Sequence, residues 1–121
     1  MANIIVVDDH QDMRHVLAQL LAMHGHVVWE SADAEAAWDR MQETVPDALI
    51  VDQNLPGMTG LELLTRMRKT PALANVPTVL CSGEDTDREA ALAAGAADFW
   101  EKGTARLIGE ISRFARNFKP S

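Results

Sequence analysis

The sequence is poor in cysteine and has no long apolar run, and both absences exclude whole classes of protein. Cys81 is the only cysteine among 121 residues, so the chain cannot form an internal disulfide. It lies within an apolar run, which predicts a buried, reduced thiol in a cytoplasmic protein. No apolar stretch approaches the roughly 20 residues that a membrane-spanning helix needs. The first residues also lack the features of a signal peptide, so we expect no membrane partner.

Basic residues are also scarce. The chain has 11 Lys and Arg against 18 Asp and Glu, which gives a formal net charge of −7. Binding to nucleic acid requires a basic surface that matches the phosphates, so this balance argues against direct nucleic acid binding by this chain. An acidic surface can simply keep a domain soluble, or it can include carboxylates that are gathered to hold a cation. Composition leaves both explanations open.

Apolar residues make up 47% of the chain and fall into alternating strand and helix patterns over a single predicted domain, residues 1–121. Short apolar runs that end at turn residues predict five strands, namely Ile4–Val7, Val27–Trp29, Ala48–Val51, Val79–Cys81 and Ala97–Glu101. Strands that alternate with helices are joined by right-handed crossovers and form a parallel sheet that helices cover on both faces. We therefore predict an α/β domain with three layers.

Helical spacing identifies the residues that should face the sheet. In the first helix these are Met13, Val16, Leu17, Leu20 and Leu21. In the last helix they are Leu107, Ile108, Ile111, Phe114 and Phe118.

Capping signals mark where three of the helices begin. Asp33 is placed to cap the second helix. Thr59 with Glu62, and Thr86 with Glu89, have the spacing of a capping box in front of the third and fourth helices.

The central strand run leads directly into a carboxylate. The apolar residues Ala48–Val51 are followed by Asp52, and Pro56 and Gly57 then stop the run with turn chemistry. A continuous apolar run of this kind indicates a strand that is buried on both faces. Asp52 would then lie at its carboxyl end, where open α/β sheets bind ligands. Taken alone, an Asp at this place is more commonly a turn or capping residue.

Polar residues follow four of the predicted strands, and a parallel sheet brings these positions to one edge. They are Asp8, Asp9, Asp52, Ser82 and Lys102. Crowded carboxylates repel one another, and a hard divalent cation such as Mg²⁺ relieves that repulsion. A nucleophilic carboxylate, a cation site, a lysine and a hydroxyl are the components of phosphoryl transfer onto aspartate. Each residue also has an ordinary alternative: a helix cap for Asp8 and Asp9, a solvated lysine for Lys102, and a cap or turn hydroxyl for Ser82.

Four parts of the chain match one known family: Val6–Asp9, Val51–Gly60, Ser82 and Ala94–Lys102. In these residues and their spacing, the chain resembles the receiver domain of bacterial two-component response regulators, over nearly its whole length. The resemblance implies a flavodoxin-like (βα)5 fold with strand order 2-1-3-4-5.

The resemblance also implies a set of residue roles around the phosphoacceptor. Asp52 corresponds to the phosphoacceptor, and Lys102 to the lysine that accompanies it. Asp8 and Asp9 correspond to the acidic pair that holds Mg²⁺, with Mn²⁺ as an alternative ion. Asp52 and the backbone carbonyl of Asn54 would complete the ligands that the chain provides.

Further roles concern switching and partners. Ser82 corresponds to the switch hydroxyl and Phe99 to the switch aromatic, while Asn54 and Glu84 occupy positions that tune the lifetime of the phosphoryl group. The implied donor is a histidine kinase or a phosphotransfer protein. We expect a downstream protein to bind the fourth helix, fifth strand and fifth helix, and the chain to be a monomer or a phosphorylation-dependent dimer.

Three features depart from the family pattern or stand outside it. Gly103 follows the lysine where the family usually has proline, which leaves the course of the Lys102 loop open. Trp100 is large for that strand, and either packs under the last helix or forms a partner surface with Phe99. Among the four histidines, His10 directly follows the acidic pair and can contact the site, whereas His15, His24 and His26 show no metal-ligand spacing with Cys81. We interpret all four as structural or exposed and predict no zinc site.

The predicted function is that of a phosphoacceptor in two-component signal transduction, and not an enzyme beyond assisting its own phosphorylation and slow dephosphorylation. One alternative is an interaction domain that does not use phosphate, which Gly103 keeps open. Another is an aspartate-nucleophile phosphatase. Such enzymes have an acidic Asp two residues after the nucleophile, where this chain has Asn54. The sequence leaves open whether the chain acts alone or begins a longer protein.

Overall fold

The computed structural model describes residues 2–103 and 105–120, and strands and helices alternate throughout. The strands are β1 (Asn3–Val7), β2 (Val27–Ser31), β3 (Ala48–Asp52), β4 (Thr78–Ser82) and β5 (Asp98–Glu101). The helices are α1 (Gln11–Ala22), α2 (Ala34–Glu43), α3 (Gly60–Arg68), α4 (Asp87–Ala93) and α5 (Arg106–Asn117). The predicted alternation is confirmed.

The strands form one parallel sheet in the order β2-β1-β3-β4-β5, as predicted. All five residues of the central strand β3 are buried, whereas the edge strand β2 is partly exposed. Helices cover both faces of the sheet at β3, which is why its sequence is a continuous apolar run. Because the strands are parallel, their carboxyl ends share one edge of the sheet.

The hydrophobic core has two halves, one on each face of the sheet. In β3, Leu49 and Val51 belong to the half that packs against α2, α3 and α4. Ala48 and Ile50 belong to the half that packs against α1 and α5. Successive side chains of a strand point to opposite faces, so one strand supplies both halves.

Two residues predicted to face the sheet are in fact largely exposed. Val16 in α1 has 42% of its surface exposed, and Ile108 in α5 has 48%. Each lies at the margin of its helix's apolar stripe, beyond the arc that contacts the sheet, so the predicted faces were too wide. None of the helices in the described part of the chain has both the length and the apolar character needed to cross a membrane.

The predicted starts of α2 and α3 are confirmed. The Asp33 side chain accepts a hydrogen bond from the backbone N–H of Ala36 at 2.7 Å. At α3, the Glu62 N–H donates to Thr59 Oγ1 and the Thr59 N–H donates to Glu62 Oε1, both at 3.1 Å. This is a complete capping box, and it fixes the point at which the chain leaves the β3–α3 loop.

The capping box predicted for α4 is wrong. Thr86 precedes the helix but makes no side-chain capping hydrogen bond, and its backbone is already helical, with φ −61° and ψ −20°. A capping side chain requires an extended backbone at that position. The backbone N–H groups of Asp87 and Arg88 donate instead to the carbonyls of Glu84 and Asp85. The chain therefore enters α4 through a turn of backbone hydrogen bonds.

Gly60 allows α3 to start against the end of β3, and this contact makes a testable prediction. A Cβ at Gly60 would lie 2.5 Å from the Asp52 carbonyl oxygen and 2.7 Å from Leu80 Cδ1. We expect Gly60→Ala to lower the free energy of unfolding by roughly 2–3 kcal/mol, because backbone atoms must move to admit the methyl group.

Gly109 in α5 is the matched control for this prediction, since a Cβ there meets no atom within 4 Å from any described residue beyond its own helical turn. Gly109→Ala should instead raise the free energy of unfolding by about 0.5–1 kcal/mol, because alanine favours a helix. Urea denaturation of the two variants measures both effects. Equal stabilities would show that the close approach at Gly60 is not a real constraint.

Candidate functional site

The carboxyl edge of the sheet brings together the polar residues that the sequence predicted to meet there. Asp8 and Asp9 follow β1, and Lys102 follows β5. Asp52 and Ser82 are the last residues of β3 and β4. The backbone N–H of Lys102 donates to the Ser82 carbonyl oxygen at 2.7 Å, which extends the β4–β5 pairing by one residue. The sheet itself therefore fixes the start of the Lys102 side chain.

Lys102 joins two buried carboxylates at this edge. Its Nζ donates to Asp8 Oδ2 at 3.0 Å and to Asp52 Oδ2 at 3.1 Å. Asp8 and Asp52 are only 2% and 4% exposed. Buried carboxylates need such a partner, because transfer of a charge from water is costly unless it is paired and hydrogen-bonded. The solvated-lysine alternative is therefore wrong for Lys102.

Asp9 and His10 complete the cluster at its exposed side. One ligand atom from each of Asp8, Asp9, His10 and Asp52 lies within 4.8 Å of the others. Neither aspartate caps α1, because His10 precedes that helix and no side chain caps it. Instead, Asp8 Oδ1 accepts a local hydrogen bond from the His10 N–H at 2.9 Å. The capping alternative for Asp8 and Asp9 is therefore wrong.

The donor chemistry of this cluster fits a hard divalent cation. Carboxylate oxygens are the ligands that Mg²⁺ and Mn²⁺ select, and Mg²⁺ is typically held by one or two carboxylates together with water and phosphate oxygens. Asp8, Asp9 and Asp52 with Lys102 leave a formal charge of −2 when all are ionised. The exposed position of Asp9 leaves the cluster accessible from solvent.

Burial and the oppositely charged partner act in opposite directions on the pKa of both Asp52 and Lys102. Burial raises the pKa of the Asp52 carboxyl above its ordinary value, and the Asp8 charge adds to this, while Lys102 partly offsets it. Burial alone would lower the pKa of Lys102, but its hydrogen bonds and charge interactions with Asp8 and Asp52 raise it overall. Lys102 is therefore held firmly in its charged form at neutral pH.

Cys81 lies beside the site but takes no part in it. The thiol is buried and free, as predicted. Burial raises its pKa well above the ordinary value, and the nearby Asp52 charge raises it further. A thiol that stays protonated is a poor nucleophile, so its role is packing under the sheet edge.

The β3–α3 loop is held by two side chains that the sequence did not single out. The Gln53 side-chain oxygen accepts from the Leu61 N–H at 2.7 Å, which joins the loop to the start of α3. Glu35 in α2 accepts from the Met58 N–H at 3.0 Å. Asn54 is exposed between them, and its N–H donates a long hydrogen bond of 3.4 Å to Asp52 Oδ1. These contacts set the orientation of the backbone that follows Asp52.

Ser82 is fully buried, and its hydroxyl is already engaged. Ser82 Oγ donates to Asp87 Oδ2 at 2.6 Å and accepts from the Glu84 N–H at 3.1 Å. The Glu84 side chain is exposed. Asp87, the first residue of α4, was not predicted from the sequence, because no spacing or motif marks it as a partner of Ser82.

The two aromatic residues of β5 face opposite sides of the sheet. Phe99 is buried against α4, where the Arg88 guanidinium lies 4.9 Å from the centre of its ring. Trp100 is 2% exposed and packs edge-on against Phe114 of α5, with 5.6 Å between ring centres. The interpretation of Trp100 as part of an exposed partner surface is therefore wrong, and its alternative, packing under the last helix, is confirmed.

The histidines other than His10 lie away from the site. His26 is buried; it accepts from the Ala2 N–H, so its other nitrogen donates to the Ala115 carbonyl oxygen at 2.7 Å. His15 pairs with Glu30 at the surface, and His24 is exposed. Their interpretation as structural or exposed residues is confirmed.

Gly103 closes the turn that follows Lys102. Its φ is +82°, in the left-handed region, and among the described residues beyond its chain neighbours a Cβ there would meet nothing within 4 Å. Proline fixes φ near −65°, so it cannot adopt this conformation. The glycine therefore gives the chain a different course after Lys102 from the one that proline would allow, while Lys102 still reaches both carboxylates.

Comparison with known proteins agrees with this geometry. The chain is 34% identical to the phosphate regulon transcriptional regulatory protein PhoB of Rhizobium meliloti (strain 1021), over 97% of this chain and 53% of that protein. It is 36% identical to the two-component response regulator PhoP of Pseudomonas aeruginosa, over 79% of this chain and 43% of that protein. The chain thus spans about half the length of these relatives.

Solved structures share the fold. The chemotaxis response regulator CheY4 of Vibrio cholerae has a TM-score of 0.84 and 26% identity, and the match covers 93% of this chain and 98% of that one. The Mn²⁺-bound form of response regulator Rcp1 has a TM-score of 0.86 over 100% of this chain and 99% of that one, at 17% identity, which shows the fold alone. The family described as the response regulator receiver domain matches residues 4–110, and this chain belongs to it.

Proposed function

We propose that this chain is a Mg²⁺-dependent phosphoacceptor that receives a phosphoryl group on Asp52. The observation that carries the proposal is the contact of Lys102 Nζ with both Asp8 and Asp52, two nearly inaccessible carboxylates, beside the more exposed Asp9. Burying several charges costs free energy, and carboxyl groups with perturbed pKa values are concentrated at functional sites, so the cluster supports a functional role.

Asp52 acts as the nucleophile in this proposal. One of its carboxylate oxygens forms a bond to phosphorus while the bond from phosphorus to the donor's leaving atom breaks, and the leaving atom keeps the electron pair. Lys102 remains charged. After the transfer it pairs with the phosphoryl oxygens, which replace part of its contact with Asp52. Alignment and charge stabilisation supply most of the rate in such transfers. An open cleft of about 600 Å³, lined partly by His10, Met13 and Lys102, gives a donor access beside the site.

The cation would be held by the carboxylates of Asp8, Asp9 and Asp52, with the backbone carbonyl of Asn54 as a further ligand. When bound, Mg²⁺, or Mn²⁺ in its place, neutralises the charge on the transferring phosphoryl oxygens. The fit of the donor set supports this part of the proposal.

The donor in this proposal is a histidine kinase or a phosphotransfer protein, in keeping with relatives that are named two-component and transcriptional regulators. Phosphorylation of Asp52 would draw the Ser82 hydroxyl and alter the setting of Phe99. Phe99 lies in β5 between α4 and α5, so the face formed by these three elements is the proposed surface for a downstream protein. Phosphorylation would also favour any dimer that uses this face.

Two other functions remain as alternatives to test. A phosphatase of the aspartate-nucleophile type needs a proton donor two residues after the nucleophile, and the Asn54 amide has no acidic proton. An interaction domain that ignores phosphate would leave the Asp8, Asp52 and Lys102 cluster without a chemical task. We therefore propose that the chain accepts phosphate, and that its only catalysis is assistance of its own phosphorylation and slow dephosphorylation.

Intact-mass spectrometry after incubation with acetyl phosphate tests the proposal. We expect one covalent phosphoryl adduct when Mg²⁺ is present and none when it is chelated, because the transferring group carries charge that the carboxylates alone would repel. Inorganic phosphate release is measured in parallel. Fast release without an adduct would favour the phosphatase, and neither product would favour the interaction domain.

A further inference from the structure

The hydrogen-bonding capacity of Ser82 sets a limit on switching. Its hydroxyl has one proton, and the structure shows that proton directed at Asp87 Oδ2 over 2.6 Å. The oxygen also accepts from the Glu84 N–H, so both functions of the hydroxyl are in use. Ser82 has no exposed surface. It therefore cannot donate to a phosphoryl oxygen on Asp52 without giving up Asp87.

We propose that Asp87 is a positioning residue that holds the Ser82 hydroxyl in its resting place, so that phosphorylation of Asp52 must compete with Asp87 for one proton. This inference rests on the proposed phosphoacceptor function, and it adds a residue of this chain that opposes the activated state. No covalent bond changes in this exchange. The Ser82 O–H gives up its hydrogen bond to the Asp87 carboxylate and donates to a phosphoryl oxygen instead.

The position of Asp87 connects this exchange to α4. Asp87 is the first residue of that helix, and no side chain caps the helix at Thr86. The next residue, Arg88, lies over the Phe99 ring and pairs with Asp85 at 3.0 Å. One turn of backbone therefore contacts both predicted switch side chains, Ser82 through Asp87 and Phe99 through Arg88. Loss of the Asp87 contact frees the start of the helix that covers Phe99.

Binding of beryllofluoride, a phosphoryl analogue, tests the proposal in the complete chain. Tryptophan fluorescence is used to follow beryllofluoride binding in the presence of Mg²⁺ for wild type, Asp87→Ala and Glu89→Ala. We expect Asp87→Ala to bind the analogue about tenfold more tightly, which corresponds to the loss of one charge-assisted hydrogen bond from the resting state. Its affinity for Mg²⁺ alone should not change, since Asp87 is not among the clustered carboxylates.

Glu89→Ala is the matched control. Glu89 is also an acidic residue in the first turn of α4, so its removal changes the charge and the helix start in the same way without reaching Ser82. This variant should bind beryllofluoride as wild type does. In a Ser82→Ala background, Asp87→Ala should have no effect on binding, because the contested proton is gone.

Hydrogen exchange provides a second measurement without metal or phosphoryl analogue. The Glu84 N–H donates to Ser82 Oγ. Without Asp87 the Ser82 side chain is free to change rotamer, so this N–H should exchange several-fold faster in Asp87→Ala than in wild type or Glu89→Ala. Equal exchange and equal beryllofluoride affinity in Asp87→Ala and Glu89→Ala would overturn the proposed role of Asp87 but leave the phosphoacceptor proposal intact. A wild-type chain that does not bind beryllofluoride would overturn the phosphoacceptor proposal, and this role with it.

Discussion

Replacement of Asp52 by Asn is expected to remove phosphoryl labelling by acetyl phosphate. The amide keeps the shape of the side chain and can still contact Lys102, but it has no anionic oxygen to attack phosphorus. We expect adduct formation in Mg²⁺ to fall by at least about 100-fold, since no other side chain in the described cluster combines burial, a carboxylate and contact with Lys102 except Asp8. Intact mass and tryptic mapping of the adduct measure the change.

Asp39→Asn is the control for charge. Asp39 is exposed on α2, and its replacement removes one negative charge without touching the site. This variant should be labelled as wild type is. Labelling of Asp52→Asn at the wild-type rate would contradict the assignment, and an adduct that moves to Asp8 would show that the two buried carboxylates are interchangeable.

We expect Asp52→Asn to remain folded, so that its loss of labelling reflects lost chemistry. This expectation follows from the effect of the Asp52 pKa on stability. Because that pKa is raised in the folded chain, the folded state binds the proton more tightly than the unfolded state does. The resulting stabilisation is greatest below the ordinary pKa of 3.8 and is lost as pH rises through the raised value. At neutral pH the ionised carboxylate therefore lowers stability, and Asp52→Asn should be at least as stable as wild type in urea.

The fold and the positions of the charged residues were predictable because they depend on patterns that sequence preserves. The apolar run Ala48–Val51 leads into Asp52 in the sequence itself, independently of any tertiary contact. The alternation of strands with helices predicts a parallel sheet. A parallel sheet then places Asp52, Ser82 and Lys102 at one edge without any knowledge of loops. The contacts of Lys102 with Asp8 and Asp52 follow from that topology and from opposite charge.

The contacts that depend on loop conformation were not predictable. Asp87 meets Ser82 because the β4–α4 connection makes a backbone turn, and that same turn removes Thr86 from the capping position the sequence favoured. Glu35 reaches the Met58 N–H only after α2 and the β3–α3 loop have packed together. Such polar contacts have no period along the chain, so hydrophobic patterning carries no information about them.

Replacement of Lys102 by Met should give the largest change in stability. Without the ammonium group, Asp8 and Asp52 remain buried with no cation between them. Removal of one partner from a buried ion pair typically costs about 3–5 kcal/mol, and we expect a loss of this size in the free energy of unfolding without Mg²⁺. Urea denaturation at neutral pH measures it. Lys69 is exposed and directly follows α3, and Lys69→Met should change stability by no more than about 0.5 kcal/mol.

The stability difference between wild type and Lys102→Met should depend on pH in a defined direction. The pKa of Lys102 is raised in the folded chain, so its contribution to stability is fully present below the ordinary value of 10.5 and is lost as pH rises through the raised value. The stability advantage of wild type over Lys102→Met should therefore be constant on the neutral side of 10.5 and shrink above it. An advantage that already shrinks as pH rises from neutral towards 10.5 would show that Lys102 does not carry the charge.

A divalent cation should restore much of what Lys102→Met loses. In the proposed site the lysine and the cation would compete for the carboxylates of Asp8 and Asp52, so the variant should bind Mg²⁺ more tightly than wild type does. Binding to the folded state alone raises stability as the free ion concentration exceeds the dissociation constant. Mg²⁺ should therefore stabilise Lys102→Met more than wild type, and the extra stabilisation should disappear when Asp52→Asn is added. Equal stabilisation of all three proteins would mean that the carboxylates do not form a common cation site, and the proposed chemistry would lose its electrostatic basis.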